Sequence, residues 1–283
     1  MRSTPQEVKI SPRDRRFGRT DPSAHWWHSA NPYASAFYNS LSATFPQGEA
    51  FFVESVRAFQ KGADQKLASD IKAFTTQEVI HSREHLAFNK RSEASGYDYQ
   101  PLDERVTARL AIAKARSPYA CLAATMALEH FTAILAHELL ANPLHLRGAD
   151  PQSAALWRWH AVEEIEHKAV AYDTWLHATR AWSRWKRWKV KAQVMLLVTQ
   201  HFIVDRTAGA MELLRQDGIR GLRAWPPLLW YMWIWPGMMR KIFGSWLAFF
   251  LPRFHPWNRD DHALIKLNDY APTDGERRVR SAV

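Results

Sequence analysis

The chain contains few glycines, one cysteine and almost no strand-like sequence. Glycine occurs 11 times in 283 residues, and alternating runs of Val, Ile and Thr are nearly absent. Long stretches rich in Ala, Leu, Glu, Lys and Arg predict an all-α protein. The lone Cys121 excludes an internal disulfide, and such sparse use of cysteine is typical of a reducing compartment.

Uninterrupted apolar runs are also missing. The first residues, MRSTPQEVKI, are polar, so no secretory signal peptide is expected. The most apolar stretch, residues 225–257, is broken by prolines and interrupted by Arg240 and Lys241, so it is not a good membrane span. We therefore expect a cytoplasmic protein that is either free or peripheral to the inner membrane.

The net charge of +10 and the 14 tryptophans indicate either an anionic partner or only a basic, soluble surface. No zinc-finger spacing, aromatic RNA-binding pattern or clear helix-turn-helix occurs, so we expect no nucleic-acid partner. The stretch RAWSRWKRWKVK, residues 180–191, has the Trp and Lys/Arg composition of helices at a membrane surface. Two interpretations of residues 181–255 stay open: helices packed on the core, or an element facing a membrane or an apolar substrate.

Helix signals divide the chain into four parts. We predict an irregular N-terminal arm at 1–30, a helical bundle at 31–180, Trp-rich helices at 181–255 and a polar tail at 256–283. Within the bundle, aspartate and serine caps and first-turn prolines mark helix starts, as at Asp64. The predicted helices cover residues 33–45, 49–61, 64–94, 104–115, 118–142 and 151–180.

The stretch HAVEEIEHKAVAYD, residues 160–173, carries two histidines and three glutamates among Ala, Val and Ile. Burying so many polar groups is costly unless they have partners, and a metal ion could satisfy several of them at once. On a helix, His160, Glu164 and His167 lie within about 60° of one another. The spacing therefore directs three potential ligands to one point.

The stretch FTTQEVIHSREH contains a second Glu-x-x-His pair, Glu78 and His81, and His85 follows on the same helix face. Two further helices each carry one lone glutamate among apolar residues: Glu54 in FFVESVRAF and Glu129 in AATMALEHFTAILA. A buried, unpaired glutamate is destabilising unless a cationic group meets it. We therefore expect these lone glutamates to share a partner with the two Glu-x-x-His pairs.

The candidate residues follow the chain order Glu, Glu-x-x-His, Glu, Glu-x-x-His. Four-helix di-iron and di-manganese carboxylate proteins use this set of ligands. The predicted primary ligands are Glu54, Glu78, His81, Glu129, Glu164 and His167, with His160 as an additional ligand. His85 is left open between a ligand and a residue that orients a carboxylate or holds water. A structural hydrogen-bond network without metal is the alternative to this site.

Four carboxylates with two or three imidazoles suit hard to borderline metals. We expect two iron ions, with manganese or zinc as alternatives. Such a pair could activate dioxygen or share a hydroxide for hydrolysis.

The chain resembles the bacterial family of predicted metal-dependent hydrolases over roughly residues 25–250. The resemblance is carried by three stretches, FYNSLSATFPQGEAFFVESVR, FTTQEVIHSREH and WRWHAVEEIEHKAVAYD. The ligand order is also similar to that of the di-iron arylamine N-oxygenases, in which a seventh ligand precedes the last Glu-x-x-His by four residues, as His160 does here. The resemblance implies a ferritin-like four-helix bundle, extended here by C-terminal helices, and an oxygen-activating di-iron centre. It does not carry over the arylamine substrate.

Three functions are compatible with these patterns. The first is a di-iron enzyme that uses dioxygen to hydroxylate, desaturate or N-oxygenate a largely apolar small molecule. Its electrons would come from a separate reductase, because the chain has no flavin or nucleotide fingerprint. The second is a hydrolase that uses the same metals. The third is a non-catalytic protein whose residues 181–255 bind a membrane surface.

Overall fold

The computed structural model describes residues 4–5, 7–18 and 24–269. Across these residues the prediction of an all-α protein is confirmed, because the chain forms helices there and no β-strand. The predicted N-terminal arm, 1–30, and the predicted polar tail, 256–283, lie partly outside the described residues.

The helices of the described residues follow one another through short connections. In chain order they are α1 Pro32–Ser42, α2 Phe45–Arg57, α3 Gln65–Ala94, α4 Gln100–Lys114, α5 Pro118–Ala141, α6 Pro151–His167, α7 Val170–Ala178, α8 Arg184–Gln216, α9 Trp225–Leu229, α10 Met238–Lys241, α11 Phe243–Ala248 and α12 His262–Asp269. A π-helical segment, Trp230–Ile234, continues α9.

Side-chain caps and prolines begin the long helices as the sequence predicts. The Asp64 carboxylate accepts the Leu67 backbone N–H at 2.9 Å and so caps α3. Helices α5 and α6 each have a proline in the first turn, where the missing N–H costs no hydrogen bond. These local signals place the starts of α3, α5 and α6 and therefore the register of every side chain that follows.

Helices α2, α3, α5 and α6 surround one another at the centre of the molecule. Helix α2 packs along α3 and α5 along α6, while contacts between α2 and α5 and between α3 and α6 close the arrangement. Large apolar side chains from all four helices are buried: Phe52, Phe74, Met126, Phe131 and Ile165. Each contributes about 1.5–3 kcal/mol on burial, so this packing fixes the polar side chains that lie between the helices.

Helix α2 begins four residues earlier than predicted. The sequence Pro46-Gln47-Gly48 was interpreted as the end of the preceding helix, but Pro46 lies in the first turn of α2, which starts at Phe45. The earlier start adds a turn before Glu49, which therefore lies inside the helix and not at its first position. Because Glu49 and Glu54 are five residues apart, they point about 140° away from each other around the helix axis.

The helix predicted for residues 151–180 is broken after His167. Helix α6 ends there and α7 begins at Val170. Between them, the buried Lys168 Nζ donates to Asp261 Oδ2 at 2.6 Å. This ion pair connects the junction between α6 and α7 to the segment that precedes α12.

The Trp-rich region packs on the four central helices and also leaves apolar side chains exposed. The long helix α8 lies against α1 and α5 and buries Met195, Leu213 and Leu214. In the segment that follows, Trp230 is 59% exposed and Trp235 is 58% exposed.

Among the described residues, α5 is long and apolar enough to cross a membrane, judged by length and composition. In its most apolar window, however, 67% of the residues are buried against the rest of the protein. The apolar surface of α5 is therefore largely covered by neighbouring helices. The same helix carries Glu129 into the centre of the molecule.

The N-terminal residues 7–18 have no helix and lie against α3 and α6. Phe17 is buried, and its backbone N–H donates to Glu84 Oε2 at 3.1 Å. The Arg13 guanidinium donates to Glu166 Oε1 at 2.7 Å, and the Arg13 backbone N–H donates to Glu163 Oε1 at 2.9 Å. This segment therefore covers the outer side of the two helices that carry the Glu-x-x-His pairs.

Candidate metal centre

Acidic and imidazole side chains from the four central helices meet in one buried group, here called the donor cluster. None of them is more than 4% exposed. The donor cluster consists of Glu49 from α2, Glu78 and His81 from α3, Glu129 from α5, and His160, Glu164 and His167 from α6. All except Glu49 were predicted from the sequence as metal ligands, and the structure brings those six together.

The ring nitrogens of the donor cluster lie close to carboxylate oxygens from other helices. His167 Nε2 is 3.1 Å from Glu78 Oε1, 3.4 Å from Glu129 Oε2 and 3.4 Å from Glu164 Oε1. His81 Nδ1 is 3.6 Å from Glu164 Oε1. These distances place donor atoms from α3, α5 and α6 around shared points.

Three overlapping groups within the donor cluster have donor atoms close enough to hold an ion. In each group the atoms lie within 4.8 Å of one another. The groups are Glu49, His81 and His160; Glu78, His81 and Glu164; and Glu78, Glu129 and His167. Because neighbouring groups share His81 or Glu78, they form a continuous row of donors and not three separate sites.

Glu54, predicted as a ligand, is not part of the donor cluster. Its side chain is 64% exposed and forms an ion pair with Lys114 of α4 at 2.5 Å. Glu49 takes its place on the inner side of α2, where Ser82 donates to Glu49 Oε2 at 2.8 Å. Glu49 lies on the face of α2 that also carries the buried Phe52 and Val56, whereas Glu54 points about 140° away from Glu49.

Hydrogen bonds on the outer side of His81 and His167 determine which ring nitrogen faces inward. Glu163 Oε2 accepts from His81 Nε2 at 3.0 Å, so His81 Nδ1 carries the lone pair toward the cluster. Gln77 Nε2 donates to Glu166 Oε2 at 3.0 Å, which leaves Gln77 Oε1 to accept from His167 Nδ1 at 2.9 Å. Partners of this kind orient metal-binding histidines in many proteins.

A chain of hydrogen bonds orients His160 in the same way. Ser42 Oγ donates to Asn89 Oδ1 at 2.6 Å and accepts from His85 Nδ1 at 2.8 Å. His85 Nε2 then accepts from His160 Nδ1 at 2.5 Å. The second nitrogen of His160, Nε2, lies 2.8 Å from Glu164 Oε1, within hydrogen-bonding distance.

This chain also corrects the assignment of His85. Both ring nitrogens of His85 are engaged, one by Ser42 and one by His160, so His85 has none to offer a metal. Of the two roles left open by the sequence, His85 takes the one that orients another residue. Phe45 covers both imidazoles, with ring centroids 4.6 Å from His85 and 4.8 Å from His160.

Polar atoms without a hydrogen-bond partner are concentrated in the donor cluster. Among the described residues, buried side-chain atoms of this kind include Glu49 Oε1, both oxygens of Glu78, His81 Nδ1, both oxygens of Glu129, Glu164 Oε2 and His167 Nε2. Leaving a buried polar atom unsatisfied costs about 1–3 kcal/mol. So many such atoms in one place, on carboxyl and imidazole groups, are typical of a site that binds a cation.

The carboxyl groups of the donor cluster are strongly perturbed by burial. Burial raises the pKa of Glu49, Glu78 and Glu129 well above the ordinary value of 4.5, and the charge of Glu164 raises each of them further. Burial also acts to raise the pKa of Glu164, but His167 and His160 outweigh it and hold that pKa well below 4.5. In the absence of metal, most of these acids therefore retain their protons.

The chemistry of the donors fits hard to borderline cations. Carboxylate oxygens and neutral imidazoles are the ligands that iron, manganese and zinc prefer. Each imidazole presents one ring nitrogen inward, and the carboxylates supply the negative charge that would compensate bound ions. A bound metal ion would satisfy the atoms of Glu78, Glu129 and His167 that have no hydrogen-bond partner among the described residues.

A small cavity of about 50 Å³ borders the donor cluster. Its walls include His160 and Glu164, and the remaining lining is almost entirely apolar. The other lining residues are Tyr38, Leu41, Phe45, Thr132, Leu135, Ala136, Leu139, Trp157, Ala161, Phe202 and Met238. A molecule that approaches the donor cluster through this cavity would contact mainly apolar side chains.

The sequence interpretation missed the residues that support the cluster from outside. Glu163 and Glu166 both receive hydrogen bonds from Arg13. Gln77, next to Glu78, joins Glu166 to His167. The available signal was a run of buried polar residues in α3 and α6 that exceeds the number of ligands.

We predict that replacing Gln77 by leucine weakens metal binding without unfolding the chain. The change frees His167 Nδ1 from its partner, and loss of such a partner lowers metal affinity about 10–100-fold. Competition with a chelator measures the effect. Gln200→Leu, on an exposed part of α8, is the matched control and should bind metal like the unchanged protein. Equal affinity in both variants would contradict the role of Gln77.

Comparison with known families gives one result that covers most of the chain. The family model described as "Predicted metal-dependent hydrolase" matches residues 11–260. Neither the comparison with curated proteins nor that with solved structures gave a match. The ferritin-like assignment and the likeness to arylamine N-oxygenases therefore stay predictions.

Proposed function

The chain belongs to the family of predicted metal-dependent hydrolases. From this premise we propose that it is an enzyme that uses a pair of metal ions to transform an apolar small molecule. The observation that carries the proposal is the row of buried donor atoms without hydrogen-bond partners. A structural network would satisfy these atoms with one another. A metal site leaves them free and aimed at shared points, as they are here.

We assign the donors to two ions. Glu49, His81 and His160 would hold one, and Glu78, Glu129 and His167 would hold the other. Glu164 lies between the two groups, because its Oε1 is 2.8 Å from His160 Nε2 and 3.4 Å from His167 Nε2. When bound, iron or manganese would supply redox chemistry with dioxygen, whereas zinc would supply only Lewis acidity.

We favour dioxygen-dependent oxidation as the reaction, because of the cavity beside the cluster. Its apolar walls select the hydrocarbon part of a substrate and place that part next to His160 and Glu164. Phe45, which covers His160, would help to exclude bulk water from the reacting atoms. Electrons would come from a separate reductase, because no flavin or nucleotide motif was found in the sequence.

Hydrolysis is the second candidate, and the family description favours it. It requires a polar scissile group beside the cluster and access for water. Glu163 lies just outside the donor cluster, 3.0 Å from His81, and burial raises its pKa to about 7, a value suited to a general base. Glu163 is, however, held by Arg13 and His81 and faces away from the cavity.

The identity of the active metal separates the two reactions. We predict that protein loaded with ferrous iron consumes dioxygen in the presence of a chemical reductant, whereas zinc-loaded protein does not. An oxygen electrode measures the consumption, and hydrolysis of chromogenic acyl esters is assayed in parallel. Ester hydrolysis by the zinc form, with no dioxygen consumption by the iron form, would replace oxidation with hydrolysis. The Glu54→Ala protein serves as a control that keeps the donor cluster intact.

A further inference from the structure

A long apolar groove lies between α2, α4, α5 and α8. Its volume is about 570 Å³, within the range of sites that hold small molecules. Its walls include Phe51, Leu110, Leu128, Val194 and Leu197. Leu197 is 52% exposed, so part of this lining meets solvent in the described structure.

The groove lies next to the small cavity beside the donor cluster and shares part of its wall. Both are lined by the same four residues: Leu41, Phe45, Thr132 and Phe202. On the far side of these residues the cavity reaches His160 and Glu164. A chain-like molecule in the groove would therefore point its end at the donor cluster, past the rings of Phe45 and Phe202.

Cationic side chains line the groove on its α4 side. Arg105, Arg109 and Arg116 all border it. The Arg109 guanidinium is paired with Asp205, the one acidic residue of the lining, at 3.0 Å. Arg105 and Arg116 are exposed and form no ion pair within the described part of the chain. The groove therefore combines an apolar floor with an excess of positive charge.

We propose that the groove binds a single-chain anionic amphiphile, of which a long-chain carboxylate is the simplest. The charged end would lie at Arg105 and Arg116, and the far end of the chain would reach the cavity beside His160 and Glu164. An anionic head matches the unpaired guanidinium groups, and an alkyl chain matches both the groove and the cavity. The proposal rests on the proposed function, because it names the substrate class of the same site.

Gly48 allows the groove to be filled without disturbing the fold. It lies in α2 and lines the groove. A Cβ built at Gly48 meets no heavy atom within 4 Å, so a phenylalanine there would project into open space. Gly244 in α11 has the same open surroundings and lies outside the groove. Gly48→Phe and Gly244→Phe are therefore a matched pair, and neither forces a helix to move.

The test is isothermal titration calorimetry of the full chain with dodecanoate, dodecyl phosphate and uncharged dodecanol, each kept below micelle-forming concentrations. We expect dodecanoate to bind to the unchanged protein. The affinity of Gly48→Phe for dodecanoate should be lower by about tenfold or more, because the added ring displaces two methylene groups of the ligand, which are worth about 1.6 kcal/mol. Gly244→Phe should bind like the unchanged protein. Binding of dodecyl phosphate as well would show that the arginines recognise charge and not the carboxylate alone.

A second pair of variants tests the charged end. Arg105→Gln combined with Arg116→Gln should weaken dodecanoate about tenfold and leave dodecanol unchanged. Lys72→Gln combined with Lys90→Gln removes the same charge from exposed positions on α3 and should have no effect. Equal binding of dodecanol and dodecanoate, or no effect of the arginine pair, would overturn the anionic class.

Metal content separates this proposal from the proposed function. The titrations are made on metal-free and metal-loaded protein, because the groove residues are not metal donors. Dodecanoate binding that Gly48→Phe abolishes supports the groove even if the protein holds no metal. Unchanged dodecanoate binding in Gly48→Phe overturns the proposed groove site. If Gly48→Phe also converts a dimer into a monomer while dodecanoate still binds, the groove is a contact between copies of the chain and not the ligand site.

Discussion

Replacing Glu49 by alanine is expected to release most of the metal, while replacing Glu54 by alanine leaves the metal content unchanged. The two glutamates lie on the same helix, five residues apart, and have opposite surroundings. Glu49 is 2% exposed and its Oε1 has no hydrogen-bond partner among the described residues. Glu54 is on the surface and pairs with Lys114. The pair therefore distinguishes a buried donor from an exposed carboxylate of the same type.

The expected effect at Glu49 is large because His81 and His160 would lose the carboxylate of their group. Removing residues that merely support metal ligands already costs about 10–100-fold in affinity, so removal of a donor should exceed that range. Elemental analysis after dialysis against a weak chelator measures the loss. Metal content that falls equally in both variants, or in neither, would contradict the assignment of Glu49.

The metal-free form of Glu49→Ala provides a second measurement. A buried carboxyl group without a full set of partners costs free energy of folding. The alanine variant should therefore unfold at a temperature no lower than that of the metal-free parent protein, although it binds less metal. A variant that simply damages the fold would lose both metal and thermal stability.

The metal-free and metal-loaded proteins are expected to respond to pH with opposite signs. Burial raises the pKa of Glu49, Glu78 and Glu129 well above 4.5 in the folded chain. Groups with a raised folded pKa bind more protons in the folded state than in the unfolded state, so their contribution to stability is lost as pH rises. Each acid that stays protonated in the fold lowers the free energy of unfolding by about 1.4 kcal/mol per pH unit.

The most informative interval lies between pH 7 and pH 8. Burial lowers the pKa of His81 and His85 below 6.5, so their opposite contribution to stability fades above pH 6.5 as the unfolded histidines lose their protons. Burial also lowers the pKa of Lys191 to about 8, so its opposing effect begins only at the upper end. Within the interval the carboxyl groups dominate.

Metal should reverse the trend in this interval. Ions displace the protons that the carboxyl groups retain, so metal binds more tightly as pH rises. The metal-free protein should lose thermal stability from pH 7 to pH 8, and the loaded protein should keep or gain it. Thermal unfolding followed by circular dichroism measures both. A metal-free protein that becomes more stable across the interval would show that the buried carboxyl groups are already ionised and paired.

Much of the fold and most of the donor cluster could be predicted because both depend on local patterns. The caps and first-turn prolines of α3, α5 and α6 set their register. That register places Glu78, Glu129 and Glu164 inward together. The error at Glu54 has another source: Glu49 and Glu54 lie on opposite sides of α2, and packing against α3 decides which side faces inward.

The rest depends on contacts between residues far apart in the sequence. His85 is removed from the ligands by Ser42, 43 positions away. Glu163 accepts a hydrogen bond from the backbone of Arg13, 150 positions away in the sequence, outside the donor cluster. The groove exists only because α4 and α8 pack beside α2 and α5. The periodicity of apolar and polar residues within one helix contains no information on these contacts between distant residues.

The central claim is that the donor cluster holds a pair of metal ions. The most direct test is elemental analysis of the protein after purification without chelator and refilling with ferrous iron, manganese or zinc. The account predicts about two ions per chain for at least one of these metals. Protein that is folded by circular dichroism and retains no metal after refilling with any of the three would contradict it.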